Sequence, residues 1–253
     1  MDLAHLALTG AAALAGGAVN AIAGGGSLIT FPALLACGVP AIPASAINTV
    51  ALCPGYFGAA LAQRAHVGGQ GARAAKILPA AALGGLVGGW LLLHTAASAF
   101  DVVVPFLLLA AVILLGVQDR LRAWLAARTK QGGSDASAIA LVGLASVYGG
   151  YFGAGLGIIV LAILGIVVDD TFLRLNAFRQ LTTLTANVAA ALIFVAIAPL
   201  DWTVVLVMAV TSLAGGMIGG AIATKVSAPV LRRVVMVIGT LVAAVYVAKL
   251  LRS

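Results

Sequence analysis

Two clusters of glycine interrupt an otherwise apolar chain at places where a helix has to break. The clusters are Gly24, Gly25 and Gly26, which Ser27 follows, and Gly153, Gly155 and Gly157. Glycine lets a chain leave one helix, and the next helix then begins with unpaired N–H groups and a partial positive charge. Such an N-terminus attracts anions. We therefore predict two facing helix N-termini, the first capped by Gly26 or Ser27, that hold a small negative ligand.

A second set of hydrogen-bond donors follows the two glycine clusters at similar distances. The donors are Asn48, Thr49, Arg179, Gln180 and Thr183. Arginine inside an apolar segment is costly and usually functional, and its guanidinium suits oxyanions through two parallel hydrogen bonds. The alternative for Arg179 is a side chain that reaches back to the membrane surface, paired with Asp169 or Asp170.

Side chains for acid–base or metal chemistry are scarce. The chain has no glutamate, its aspartates and histidines lie near predicted segment ends, and Cys37 and Cys53 stand in apolar surroundings typical of small buried side chains. No metal or nucleophile motif occurs. We therefore expect no catalysis, metal or cofactor. If transport is coupled to protons, Asp169 and Asp170 are the candidate titratable groups.

Composition predicts an all-α polytopic membrane protein. Of 253 residues, 63% are hydrophobic and 8% are charged, with a mean hydropathy of +1.18. We expect about ten segments, eight of them long and one in each half short, either broken or re-entrant. The segments are Leu3–Ala23, Leu28–Cys37, Ala44–Gln63, Ile77–His94, Val102–Val117, Ala138–Gly153, Ile158–Val168, Leu175–Ile197, Trp202–Ala223 and Val230–Leu251.

The glycine pattern repeats after 131 residues without a gap. A GGxxGG motif at 84–89 recurs at 215–220, 24–26 falls on 155–157, and Asn48 falls on Arg179. This shift predicts a first membrane repeat at 1–118, a linker at 119–136 and a second repeat at 137–253. We interpret the GGxxGG motifs as helix-packing surfaces.

Charge predicts that the two repeats have opposite orientations. The loop at 64–76, the linker and the loop at 225–233 are basic, whereas the loops at 96–101 and 199–201 hold aspartate and neither lysine nor arginine. Basic loops stay in the cytoplasm, so the net charge of +7 reflects topology rather than nucleic-acid binding. We predict an inverted repeat in the plasma membrane, with the linker cytoplasmic and the N-terminus outside.

Two stretches resemble the signatures of the TauE/SafE sulfite exporter family. They are "AGGAVNAIAGGGSLITFPALLACGVPAIPASAINTVAL" and "YGGYFGAGLGIIVLAILGIVVDDTFLRLNAFRQLTTL". The resemblance covers essentially the whole chain. It implies a plasma-membrane carrier for sulfur-containing anions such as sulfite, thiosulfate or organosulfonates.

The leading hypothesis is an alternating-access carrier whose partners are the lipid bilayer and a small anionic substrate. Two alternatives remain open at this point: an anion channel on the same scaffold, and a membrane scaffold that transports nothing. The sequence does not decide the anion, the direction of transport, the coupling ion or the oligomeric state.

Overall fold

The chain folds into ten α-helices, in agreement with the predicted all-α class. A computed structural model describes residues 2–22, 24–127, 134–222 and 228–250, and these contain no β-strand. The helices are α1 (Leu3–Ile22), α2 (Ser27–Ala36), α3 (Ala41–Ala62), α4 (Gly71–Leu93), α5 (Ala97–Ala127), α6 (Asp135–Tyr151), α7 (Leu156–Val167), α8 (Phe172–Ile197), α9 (Trp202–Ile222) and α10 (Ala228–Leu250).

Six helices within the described residues are long and apolar enough to cross a bilayer, rather than the eight expected. They are α1, α3, α4, α8, α9 and the part of α5 at Ala97–Gln118. The expectation of eight is wrong for α6, which has only 17 residues because its helix stops before Phe152. In α10 the apolar stretch that can be described is Val235–Tyr246. The short α2 and α7 occur where the glycine breaks predict them.

The helices α1 and α2 form a hairpin that turns back within the molecule. Gly24 has a φ of +83°, a conformation that glycine adopts without strain, so the chain can reverse after α1. A Cβ on Gly16 of α1 would lie 2.7 Å from the methyl group of Thr30 on α2. The Sγ atom of Cys37 lies 3.9 Å from the main-chain oxygen of His5. The end of α2 therefore lies beside the start of α1.

The helices α6 and α7 form a second hairpin. Gly153, just after α6, has a φ of +77°. The Lys76 ammonium pairs with Asp135 at the start of α6, and Nη1 of Arg73 lies 3.0 Å from Oδ2 of Asp170, which follows α7. Because Lys76 and Arg73 both lie in the first turns of α4, α6 begins and α7 ends at the same end of the molecule.

The two hairpins enter from opposite ends. The helix α3 follows α2 and leads to the loop before α4, and its 22 residues span about 33 Å. One end, called the basic end below, carries Arg64, Arg73, Lys76 and Arg174. The other, called the acidic end, carries Asp2, Asp101 and Asp201.

The GGxxGG motifs place α4 and α9 against helices of the other half. A Cβ on Gly85 would overlap the main-chain oxygen of Ala186, and a Cβ on Gly216 would overlap that of Gly55. Both members of the second pair differ from their counterparts in the first by 131 residues. Such exchanged contacts support the predicted pair of repeats and the packing role of these glycines.

The predicted linker at 119–136 is helical in part. The helix α5 continues to Ala127, and α6 starts at Asp135, with the Ser134 side chain accepting a hydrogen bond from the Ser137 N–H. Charged residues end a membrane span without ending a helix, which explains the longer α5. The linker residues 128–133 and the predicted segment ends Ala23, Ala223 and Leu251 lie outside the described residues.

Candidate functional site

The tips of the two hairpins contact each other in the interior. A Cβ on Gly24 would lie 3.5 Å from the Cα of Gly157, and a Cβ on Gly157 would lie 3.5 Å from the Cα of Gly24. The helix α2 begins just after Gly24, and α7 begins at Leu156. The two glycine breaks that the repeat relates are therefore brought together by the fold.

Arg179 of α8 lies between the two tips. Its Nη1 atom would be 2.5 Å from a Cβ on Gly24 and 2.7 Å from a Cβ on Gly157, so only glycine leaves it room at these positions. The residue is 1% exposed. The alternative in which Arg179 reaches the membrane surface is therefore excluded. That description fits Arg174, whose Nε lies 2.8 Å from Oδ1 of Asp170 at the basic end.

Arg179 and Gln180 both bind the end of α1. The Arg179 Nη2 donates to the main-chain oxygens of Asn20 and Ala21 at 3.4 and 3.5 Å. The Gln180 Nε2 donates to the same two oxygens at 3.4 and 3.1 Å. The last carbonyls of a helix lack intrahelical partners and carry partial negative charge, which a cation stabilises. The side chains of α8 thus fasten the first hairpin to the second half.

Asn48 of α3 holds the start of α2. Its Oδ1 accepts a short hydrogen bond from the Thr30 hydroxyl, and its Nδ2 donates to Ser27 Oγ at 3.2 Å. Ser27 is therefore the first residue of α2 and not its cap; Gly26 is the cap, with no side-chain hydrogen bond. Thr49 is buried beside Asn48. Within the described contacts, Asn48 has the role of positioning α2.

The two tips differ in polarity. The positions that correspond to Ser27 and Thr30 in the second half are Ile158 and Leu161, and both are buried. The first tip therefore carries polar side chains, whereas the charge comes from Arg179, which stands where the first half has Asn48. The site combines donors from one half with a cation from the other.

The other predicted glycines line the surroundings of the tips. A Cβ on Gly25 would lie 3.3 Å from the Leu115 side chain, and one on Gly155 would lie 3.7 Å from the Cα of Ala111, both on α5. A Cβ on Gly153 would lie 3.9 Å from Oδ1 of Asn187 on α8. These positions allow α5 and α8 to approach the two breaks closely.

The prediction of the site missed two buried polar residues, Asn20 and Tyr56. Asn20 is 2% exposed, and its Oδ1 accepts from the Gly26 N–H at 2.7 Å. The Tyr56 hydroxyl lies close enough to Asn20 and Arg179 to interact with both. A polar residue in the last turn of an apolar helix, just before a glycine run, was an available signal for Asn20. Thr183, one turn beyond Arg179 on α8, is buried as well.

The candidate coupling residues lie apart from the hairpin tips. Asp169 and Asp170 occupy the connection before α8, and Asp170 pairs with both Arg73 and Arg174. Burial raises the pKa of Asp170, but hydrogen bonds from Arg73, the Thr171 N–H and Arg174 outweigh it and hold the pKa below 3.8. Asp170 therefore joins the first half to the second at the basic end.

Comparison with known proteins agrees with this geometry. The family model described as "Sulfite exporter TauE/SafE" matches residues 8–246. The chain is 27% identical to the probable membrane transporter protein ORF9 of Sinorhizobium sp, over 94% of this chain and 91% of that protein. It is 26% identical to the probable membrane transporter protein YfcA of Escherichia coli K12, over 92% and 86%. No solved structure gives a significant match.

Proposed function

The chain belongs to the TauE/SafE sulfite exporter family, and we propose that it carries a small sulfur-containing anion across the membrane by alternating access. The anion is sulfite, thiosulfate or an organosulfonate. The family description and the names of both relatives, each a probable membrane transporter, support this class of function. The multi-pass helical fold supports it as well.

The observation that carries the proposal is the enclosure of Arg179 by the tips of both hairpins. A buried guanidinium offers an oxyanion several N–H donors in a planar fork. The N-termini of α2 and α7 add partial positive charge on either side. Few arrangements other than an anion site call for a buried arginine at the meeting point of two broken helices.

The arrangement of the hairpins also supports alternating access. One hairpin enters from the acidic end and the other from the basic end, and they meet at Gly24 and Gly157. Movement of one half against the other would open the surroundings of Arg179 to one end at a time. In transporters built from inverted repeats, the substrate binds where the repeats meet.

The location is the plasma membrane, with the basic end in the cytoplasm and the N-terminus outside. Arginine and lysine side chains cluster at the basic end, and the connections at the acidic end carry aspartate. This asymmetry is typical of cytoplasmic loops.

Flux measurements on purified protein in liposomes test the proposal. We expect saturable flux of radiolabelled sulfite, and Arg179→Ala should weaken sulfite affinity by about 10- to 100-fold, because a charged donor contributes about 1.5–3 kcal/mol. The matched control is Arg120→Ala, which removes an exposed arginine of α5 and should leave the affinity unchanged. Unsaturable, voltage-driven current would instead indicate a channel, and no flux of any sulfur anion would contradict the proposal.

A further inference from the structure

Two buried side chains beside Arg179 each carry a polar atom with no protein partner among the described residues. These atoms are Nδ2 of Asn20 and Oγ1 of Thr183, in residues that are 2% and 1% exposed. A buried polar group without a partner costs about 1–3 kcal/mol, so native proteins leave few of them. A ligand that supplies acceptor oxygens would account for both.

The orientation of the Asn20 carboxamide is fixed by its neighbours. Its Oδ1 accepts from the Gly26 N–H at 2.7 Å, so the donor Nδ2 has to be the other arm. The main-chain oxygen of the same residue accepts from Arg179. Asn20 therefore brings a neutral N–H donor to the hairpin tip that the guanidinium binds.

Thr183 behaves unlike its neighbours on α8. The hydroxyls of Thr182 and Thr185 bond back to the carbonyls four residues earlier, at 3.0 and 2.9 Å, as is usual for threonine in apolar helices. The Thr183 hydroxyl makes no such bond in the described structure, although Arg179 stands four residues before it. Its hydroxyl is therefore left available for a partner outside the helix.

The position of Thr183 places it beside the second hairpin. Its main-chain oxygen accepts from Asn187 Nδ2 at 2.8 Å, and Asn187 Oδ1 lies 3.9 Å from the Cβ position of Gly153. One turn earlier, Arg179 reaches the Cβ position of Gly157. Thr183 thus lies between two side chains of α8 that face the break between α6 and α7.

We infer that Asn20 Nδ2 and Thr183 Oγ1 bind the transported anion directly, together with the Arg179 guanidinium. The inference rests on the proposed function and narrows its substrate class. Donors on α1 and at two positions of α8 match an anion that presents three oxygens on one face, as sulfite and organosulfonates do. A halide, with a single acceptor centre, cannot use three separated donors in this way.

Binding of sulfite and methanesulfonate to the purified protein, measured by calorimetry, tests the inference. Thr183→Val removes the hydroxyl at nearly constant volume and should weaken both ligands by about 3- to 10-fold, the value of one hydrogen bond. Asn20→Asp keeps the acceptor for the Gly26 N–H but replaces the donor by a negative charge, and should abolish binding. Chloride should not compete with either ligand.

Ser146→Ala is the matched control. The Ser146 hydroxyl of α6 is also fully buried without a partner in the described structure, but it packs against Gly84, away from the tips. This variant should bind both ligands like the parent, which would show that the loss in Thr183→Val is specific. An equal loss in Ser146→Ala would overturn the inference.

The outcomes separate the inference from the proposed function. If Arg179→Ala loses binding while Thr183→Val and Asn20→Asp bind like the parent, the inference is wrong and the anion site stands. If the parent binds neither ligand, or Arg179→Ala binds like the parent, the proposed site itself is wrong. Should Asn20→Asp fail to fold, Thr183→Val against Ser146→Ala still decides.

Discussion

Gly24 and Gly157 lie in van der Waals contact, although 133 residues of sequence separate them and each belongs to a different half of the chain. The contact leaves no room for a side chain, because the Arg179 guanidinium fills the space beside both residues. The relationship links the two breaks and the buried charge in a single cluster, whose parts respond differently to substitution.

Gly157→Ala should weaken anion binding without unfolding the protein. Its Cβ would lie 2.7 Å from Arg179 Nη1, the mobile end of a long side chain, so we expect the guanidinium to shift rather than the helices. Gly24→Ala should also lower stability, because its φ of +83° is unfavourable for alanine by about 1 kcal/mol. Sulfite calorimetry and thermal unfolding measure the two effects. Gly68→Ala, with no atom within 4 Å of its Cβ, should change neither.

Substitution of the packing glycines should lower stability in both halves. Gly85→Ala and Gly216→Ala each place a methyl group on the main chain of a neighbouring helix, which costs typically about 1–3 kcal/mol. We expect similar losses of thermal stability from the two variants, since their contacts are equivalent. For comparison, Gly143→Ala meets its nearest atoms at 3.6 Å and should unfold at the parent temperature. A loss at only one of the two packing sites would argue against equivalent halves.

Asn48→Ala should affect stability more than affinity. Both polar atoms of its carboxamide are bonded to side chains of α2, so the substitution leaves Ser27 and Thr30 without these partners, at a cost of about 1–3 kcal/mol. We expect lower thermal stability and a smaller loss of sulfite affinity than in Arg179→Ala. An affinity loss as large as that of Arg179→Ala, with unchanged stability, would instead make Asn48 a direct ligand.

The ion pairs of Asp170 should stabilise the protein in a pH-dependent way. Its pKa lies below 3.8 in the folded state, so the stabilisation is present above about pH 4 and is lost as the pH falls through the lowered pKa. Asp170→Asn should therefore lower the unfolding temperature by about 2–6 °C at pH 7, and the difference should shrink below pH 4. If Asp170 also carries protons, this variant should lose the response of sulfite flux to a pH gradient; unchanged coupling would exclude that role.

Labelling of single cysteines should locate the two ends of the molecule. Both native cysteines are free, so Cys37→Ala with Cys53→Ala provides the background. In intact cells, an impermeant maleimide should label Ser98→Cys at the acidic end and should leave Gly68→Cys at the basic end unlabelled until the cells are opened. The reverse pattern would invert the proposed orientation.

The sequence was sufficient to locate both breaks, because glycine in apolar segments and the 131-residue shift are local signals. It could not show that α2 returns to the start of α1, since hydropathy reports the length of a segment and not its direction. Asn48 illustrates a second limit: its spacing matches that of Arg179, yet only its distances to Ser27 and Thr30 reveal a positioning role. Asn20 was overlooked because one asparagine in an apolar helix resembles an ordinary packed residue.

The meeting of the hairpins at two glycines also bears on voltage. At Gly24 and Gly157 the barrier between the two ends is only two main chains deep. Once water reaches one side of this contact, the membrane potential, about 2.3 kcal/mol per elementary charge for each 100 mV, falls across a few ångströms rather than the full bilayer. An anion that passes these glycines then crosses most of the electric field in one short step, so its movement should be electrogenic unless a cation travels with it.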